Sequence, residues 1–253
     1  WQFRELLFFL TWRDVKVRYK QTLLGAAWAV LQPAMMMVVF TIFFGNMAKV
    51  PAGDLPYPIF VYVGLLPWTF FATGISNAGN SVVGSERLIT KIYFPRLAVP
   101  FASVGAAVVD FAIAFSLLIV LMLVFQVPPG VGLLMVPVLV GVIMVAALGV
   151  GTLLAALNVA YRDFRYVIPF FVQLWMFATP TVYMQPSGTS SGVVQALLVF
   201  NPMTGLIAAF RAACVGGPMP WGQLAISSAF AAVIFLAGCL YFRRMEKHFA
   251  DVI

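Results

Sequence analysis

LAVPFASVGAAVVDFAIAFSLLIVLMLVFQVPPGVGLLMVPVLVGVIMVAALGVGTLLAALNVAY, residues 97–161, runs from Arg96 to Arg162 with one charge in it, Asp110. A helix needs about 20 mostly apolar residues to cross the ~30 Å hydrocarbon core of a bilayer. This run is far too long for one crossing, and Pro128-Pro129-Gly130 interrupts it, since proline and glycine end helices. It reads as two spans, 98–126 and 132–160. Working outward, no charge falls between Lys20 and Lys49 or between Asp54 and Glu86, which gives spans over 23–46 and 57–80. Two more follow at 166–185 and 221–242. The predicted fold is an all-α integral membrane protein with six transmembrane helices.

Composition agrees. The chain is 63% hydrophobic and only 9% charged, against roughly 25% charged in a soluble domain. The net charge is +7, but the bases sit in short segments between apolar runs and form no nucleic-acid patch. Arg4, Arg13, Lys16, Arg18, Lys20, Arg87, Lys91, Arg96, Arg162, Arg165, Arg243, Arg244 and Lys247 all fall on one side, leaving Lys49 and Arg211 for the other. The positive-inside rule places the first set, and both termini, in the cytoplasm. Cys214 and Cys239 are too far apart in context to suggest a disulfide. The chain starts at Trp1 rather than Met, so a short leader is expected ahead of it.

Two segments are not plain spans. In residues 1–21, Phe8, Trp12, Val15 and Tyr19 recur at helical spacing while Arg13, Lys16 and Lys20 share another face, which predicts an amphipathic helix in the membrane interface. Residues 190–216 hold two apolar pieces split by Asn201-Pro202, each too short to cross. They read as a re-entrant helical hairpin between spans five and six, with a solvated external loop as the other reading. Asn201 would cap the second helix and Pro202 would open it. Arg211 would carry its charge to the external headgroups on its long stem.

Much chemistry is excluded. There is no G-x-x-x-x-G-K-[ST] phosphate loop, one histidine (His248), no His/Cys cluster and no paired intramembrane carboxylates. A proton-coupled carrier needs buried ionisable relays, and Asp110 is the single candidate. Ala102, Ala106 and Ala114 lie on its face, a small-residue stripe that favours close packing of Asp110 against a neighbouring helix. A passive conduit energised by another subunit fits these absences. A membrane-embedded glycosyl- or acyltransferase would need an acidic or histidine cluster, and a secondary carrier would show internal repeats.

The connecting segments carry an ordered set of motifs: Arg13-Asp14-x-Lys16-x-Arg18-Tyr19, then Leu88-Ile89-x-Lys91-x-x-Phe94-Pro95-Arg96, then Asn158-x-x-Tyr161-Arg162-Asp163, Thr179-Pro180-x-x-Tyr183, Asn201-Pro202 with Arg211, and Glu246-x-x-Phe249-Ala250-Asp251. The set resembles the permease subunit of bacterial ABC exporters for surface polysaccharides, the O-antigen, capsule and teichoic-acid export group, over nearly the whole chain. A permease of ABC type exporting small lipids or drugs is the alternative. The resemblance implies a homodimer in the bacterial inner membrane, working with two separate ATP-binding subunits. ATP and magnesium would sit on those subunits, and this chain would need no cofactor of its own. The implied substrate is a glycan on a polyprenyl diphosphate.

On that resemblance, Ser85, Glu86, Arg87, Leu88, Lys91, Phe94, Pro95 and Arg96 are expected to couple to the ATPase through a short helix ended by Pro95, with Arg162 and Asp163 as a second contact. Arg13, Lys16 and Arg18 would meet the lipid diphosphate, since arginine and lysine both bind phosphate, with a structural role, pairing with Asp14 or anionic lipid, as the other reading. A glycan needs a wide, weakly binding path, and aromatic rings stack on sugar C–H faces. A subset of Trp28, Phe40, Phe44, Tyr62, Trp68, Phe71, Trp175, Phe177 and Tyr183 is expected to line a channel. Asn201, Pro202 and Arg211 belong to the expected external gate.

Overall fold

The computed structural model describes residues 3–20, 25–51, 53, 55–91, 94–161, 163–183 and 198–249, without the side chains of Thr90, Lys91 and His248. Every regular element is helical. They are α1 (Arg4–Lys20), α2 (Ala27–Phe40), α3 (Tyr57–Gly84), α4 (Glu86–Lys91), α5 (Ala98–Val124), α6 (Val136–Ala160), α7 (Phe164–Phe177), α8 (Pro202–Val215) and α9 (Trp221–Met245). A π-helical stretch, Thr41–Met47, extends α2, and a 3₁₀ turn, Val131–Met135, leads into α6. Five helical stretches are long and apolar enough to cross a membrane: 27–47, 57–84, 98–124, 131–160 and 221–245.

The expected fifth span is shorter than the sequence suggests. α7 has 14 residues, about 21 Å at 1.5 Å per residue, which falls short of the ~30 Å core. Beyond Phe177 the chain turns inward, and Thr179, Pro180, Thr181 and Val182 are buried. The physical cause is Pro180, which cannot donate to a helical ladder and disfavours helical geometry in the residue before it. The apolar run was legible as length, but part of it is a buried turn.

α3 is the central helix. It packs against α5, α6, α8, α2 and α7, and Ile59, Val61, Tyr62, Val63, Leu65 and Leu66 are wholly inaccessible. A second, smaller apolar core closes the end where the basic connections gather, called here the basic end. It joins Leu10, Val82, Ile89, Phe94, Val159, Phe242 and Phe249, which come from α1, α3, α4, α6, α9 and the segments beside them.

Helix contacts lean on small residues, as in membranes, where lipid is as apolar as leucine and close van der Waals packing does the work. A Cβ on Gly149 of α6 would sit 2.6 Å from the Phe235 nitrogen, and one on Gly238 of α9 would sit 2.2 Å from the Gly149 carbonyl oxygen. Both neighbours are backbone, so neither helix can yield without moving. Gly149→Leu should lower thermal stability in detergent by about 1–3 kcal/mol, the cost of overpacking. Gly141→Leu, whose Cβ meets nothing within 4 Å, should leave the midpoint unchanged. Equal midpoints for the two variants in a thermal size-exclusion assay would contradict this α6–α9 contact.

Candidate functional site

The N-terminal helix makes contacts that the sequence did not announce. α1 runs beside the first half of α5. Thr11 abuts Gly105, the Ser103 hydroxyl is 3.3 Å from the Asp14 carboxylate, and the Arg18 guanidinium pairs with the Asp110 carboxylate. Tyr19 donates its hydroxyl to the other Asp110 oxygen. Burial holds the Tyr19 phenol above its ordinary range, with the Arg18 charge opposing that, so it stays a donor at physiological pH. The single charge of the longest apolar run is thus neutralised by a neighbouring helix, the packing role that its alanine-lined face suggested.

This geometry re-sorts the faces of α1. Leu6, Leu7, Leu10, Val15 and Tyr19 turn inward, while Phe8, Phe9, Trp12 and Val17 face out together with Arg13 and Lys16. The predicted apolar stripe of Phe8, Trp12, Val15 and Tyr19 is therefore divided, because α5 takes the flank of the helix rather than its most apolar line. The basic trio divides too. Arg18 is engaged with Asp110, Arg13 holds Asp14 at 2.8 Å, and Lys16 stands over the Trp12 ring at 5.4 Å.

Between α1, α3, α4 and α5 lies an open groove of about 890 Å³. Its walls include Arg13, Arg18, Ser76, Asn80, Ser85 and Arg87. The α3 face here is a polar stripe within an otherwise apolar helix. Asn80 also accepts from the Asn158 amide at 3.2 Å, and that amide reaches the Gly79 carbonyl at 2.9 Å. Asn158 of the Asn-x-x-Tyr-Arg-Asp motif thereby joins α6 to α3.

At the basic end, the Ser85 carbonyl accepts from the Leu88 and Ile89 amides at 2.9 and 3.1 Å, which starts α4 directly after α3. Ile89 is buried while Glu86 and Arg87 are exposed, so α4 is a short knob with an apolar root and a charged outer surface. Phe94 is buried in the smaller core. Arg96 reaches back to the Glu246 carbonyl with its side chain, and its backbone amide faces the Glu246 carboxylate at 3.4 Å. Phe94 and Arg96 therefore anchor the connection from within rather than presenting themselves to a partner. Pro95 is half-buried between them, and Leu88 is half-buried too. Asp163 is exposed at the start of α7. Arg162 and the Lys91 side chain lie outside the described residues.

Of the aromatic set, of which only a subset was expected along a channel, Tyr62, Trp68 and Phe71 are core residues. Tyr62 donates to the Ala114 carbonyl at 2.8 Å, which satisfies its hydroxyl in the interior. Trp68 and Phe71 cluster with Trp175 at ring-centroid distances of 6.4 and 5.1 Å. Sequence periodicity does not say which side of a fully apolar helix faces protein. Trp28 and Phe177 are exposed, and Phe40, Phe44, Trp175 and Tyr183 are half-buried.

At the opposite end, Asn201 caps α8 as expected, accepting from the Met203 amide at 3.1 Å, with Pro202 in the first turn. It also does what the sequence did not reveal. Its oxygen accepts from the Trp175 indole at 3.1 Å, and its amide donates to the Thr179 hydroxyl at 2.8 Å. One side chain thus ties α8 to the end of α7. Arg211 points inward, not to the headgroups. It donates to the Thr181 carbonyl at 2.9 Å and lies 4.0 Å from the Phe60 ring centroid, a cation–π contact. Gly64 makes room, since a Cβ there would meet the Thr181 oxygen at 2.1 Å. Burying a cation is costly unless it is partnered; carbonyl and ring partner the guanidinium in part, and its Nε has no hydrogen-bond partner among the described residues. Residues 184–197 are outside the described residues, and with them 190–197, the first part of the expected hairpin. Cys214 and Cys239 are both free thiols.

These features define a multi-pass membrane protein with polar side chains gathered in a groove, on an end-on knob and around the start of α8. The chain belongs to the ABC-2 type transporter family, whose model matches residues 5–215. It is 29% identical over 255 residues to the O-antigen export system permease protein RfbA of Myxococcus xanthus, covering 100% of this chain and 97% of that one. A Klebsiella pneumoniae protein of the same description is 24% identical over 98% of this chain and 95% of its own length. The polysialic acid transport protein KpsM of Escherichia coli is 21% identical over 93% of this chain and 91% of its own.

Removing one partner of the Arg18–Asp110 pair strands the other charge, whereas removing both does not. Arg18→Gln and Asp110→Asn should each destabilise the purified protein, and the double variant should be less destabilised than the sum. A thermal-denaturation cycle with a coupling of about 0.5–3 kcal/mol is expected. Strict additivity would show that the two side chains do not interact.

Proposed function

We propose that the chain is the channel-forming permease subunit of an ATP-driven exporter that moves polyprenyl-diphosphate-linked polysaccharide, of O-antigen type, out across the bacterial inner membrane. The observation that carries this is the end-to-end similarity to an O-antigen export permease at 29% identity. The family assignment supports a separate ATP-binding partner, and the sequence offers no phosphate loop of its own. The active unit is a homodimer with two ATPase subunits, oriented with both termini in the cytoplasm.

In this reading α4 is the knob that the ATPase moves. Its root is clamped by the smaller core, which also holds the ends of α3, α6 and α9, so a push on α4 reaches several spans at once. Glu86 and Arg87 form its outer contact. The lipid diphosphate meets the basic end at Arg13, Lys16 and Arg18. Because Arg13 and Arg18 already hold carboxylates, Lys16 is the member of the trio that adds uncompensated positive charge. The exposed rings Trp28 of α2 and Phe177 of α7, with half-buried Phe40, Phe44 and Trp175 beside them, supply the aromatic part of the glycan path, and α8 with Asn201 and Arg211 forms its external closure.

Two outcomes follow. Deleting the gene in its bacterial host should strip polysaccharide from the cell surface and leave lipid-linked glycan in the inner membrane, while unaltered surface polysaccharide would overturn the function. Cysteine at Glu86 or Arg87 should cross-link to the ATPase subunit, and Arg87→Glu should reduce co-purified ATPase several-fold with membrane insertion intact. Cross-links from these positions that never reach the ATPase would remove α4 from the coupling role.

A further inference from the structure

Next to the groove is a separate cavity of about 330 Å³, enclosed by α1, α2, α3 and α5. Thr69, Thr73 and Asn77 line one wall at four-residue steps along α3, a spacing that puts side chains on one face. Trp28 and Gln32 of α2 line another, and Asp110 closes the floor. Arg18 and Asn77 line both this cavity and the groove, so the two are immediate neighbours.

The lining selects among ligand classes. An acyl chain gains nothing from amides and hydroxyls, and desolvating them against it is costly. A free anion or cation finds no net charge, because Arg18 and Asp110 neutralise each other. What remains is a neutral molecule with many hydroxyls and an apolar face. Thr73, Gln32, Asn77 and the Asp110 carboxylate offer donors and acceptors to hydroxyls, and Trp28, Phe70 and Phe111 offer flat apolar surface. Asn77 is half-buried, and its Nδ2, shielded by the protein itself, has no hydrogen-bond partner among the described residues, so turning the amide toward a bound hydroxyl would break no hydrogen bond of that nitrogen. The volume lies at the lower edge of ligand pockets, about 300–1,000 Å³. That suits the end of a glycan and not the passage of a polymer.

We infer that the cavity between α1, α2, α3 and α5 is a sugar-recognition site beside the conduit, sharing Trp28 with it, in which Thr73, Asn77, Gln32 and Trp28 read the end of a glycan presented from the groove. This rests on the glycan reading above and adds to it a place where the exporter tests its cargo. Arg18 and Tyr19 are positioning residues here: by holding Asp110 they keep α1 in place as the cavity wall.

The test uses the purified complex of the chain with its ATPase in nanodiscs. Saturation-transfer NMR is recorded with the methyl glycosides of mannose, galactose, glucose, rhamnose and N-acetylglucosamine, and with methyl phosphate. At least one glycoside should bind, and Thr73→Val and Asn77→Leu should each weaken it on the order of tenfold, which corresponds to about 1.4 kcal/mol. Thr73→Ser should restore binding, which separates a lost hydroxyl from a folding defect. Ser116→Ala, on the exposed side of α5, should bind as the unaltered chain does. Binding of no glycoside, of methyl phosphate alone, or of a glycoside with undiminished strength in both cavity variants would overturn the inference. If gene deletion still abolishes surface polysaccharide in that case, only the sugar site falls and the export function stands.

Discussion

A carboxylate set midway along an apolar helix must find a partner, because hydrocarbon offers it no solvent. Asp110 is that carboxylate, and its pairing with Arg18 and Tyr19 decides where the N-terminal helix goes. With α1 held along α5, Asp14 comes within reach of Ser103, Leu10 enters the smaller core, and the polar stripe of α3 gains an opposing wall. The groove and the cavity beside it exist because of that wall. One interaction thus converts a basic, aromatic N-terminal segment into a structural part of the permease.

The two ends of the molecule solve different problems with the same means. At the basic end the smaller core fuses α4 to several helix ends, while Arg96 and Glu246 secure the tail against the α4–α5 connection. At the opposite end Asn201 and Arg211 join α8 to the turn after α7 and to α3. The Asn201 amide and one Arg211 nitrogen are satisfied there by a side-chain hydroxyl, an indole and a backbone carbonyl, as irregular backbone beside lipid requires, while Arg211 Nε and the Thr204 hydroxyl have no hydrogen-bond partner among the described residues. A rigid knob, a fixed groove and a tied-down terminal helix are the parts an export permease needs from its own chain.

Much of the architecture was legible in the sequence, for a simple reason. Charge-free runs of spanning length have few alternatives to crossing, and the breaks at Pro128-Pro129-Gly130 and Asn201-Pro202 are written in residues that restrict the backbone directly. The cap at Asn201 followed from the same local chemistry. Facing was not legible. Helices apolar all round do not declare which side meets protein, so Tyr62, Trp68 and Phe71 gave no sign of being core. Arg18 and Lys16 look alike in a basic segment, and only the position of Asp110 in three dimensions separates them. Arg211 reads as a surface cation until Gly64 and the Thr181 carbonyl are seen to make a place for it. α7 stops early because of a single proline, a local signal overshadowed by the length of the apolar run.

Transport itself is the most direct measurement. Proteoliposomes holding the chain and its ATPase, with the ATP-binding subunits facing outward and polyprenyl-diphosphate-linked glycan in the membrane, are supplied with ATP and then with a glycan-cleaving enzyme outside. An export permease predicts that ATP raises the fraction of glycan protected inside the vesicles, and that an ATPase lacking its phosphate-binding lysine abolishes the rise. ATP hydrolysis at the normal rate with no gain in protected glycan would contradict it.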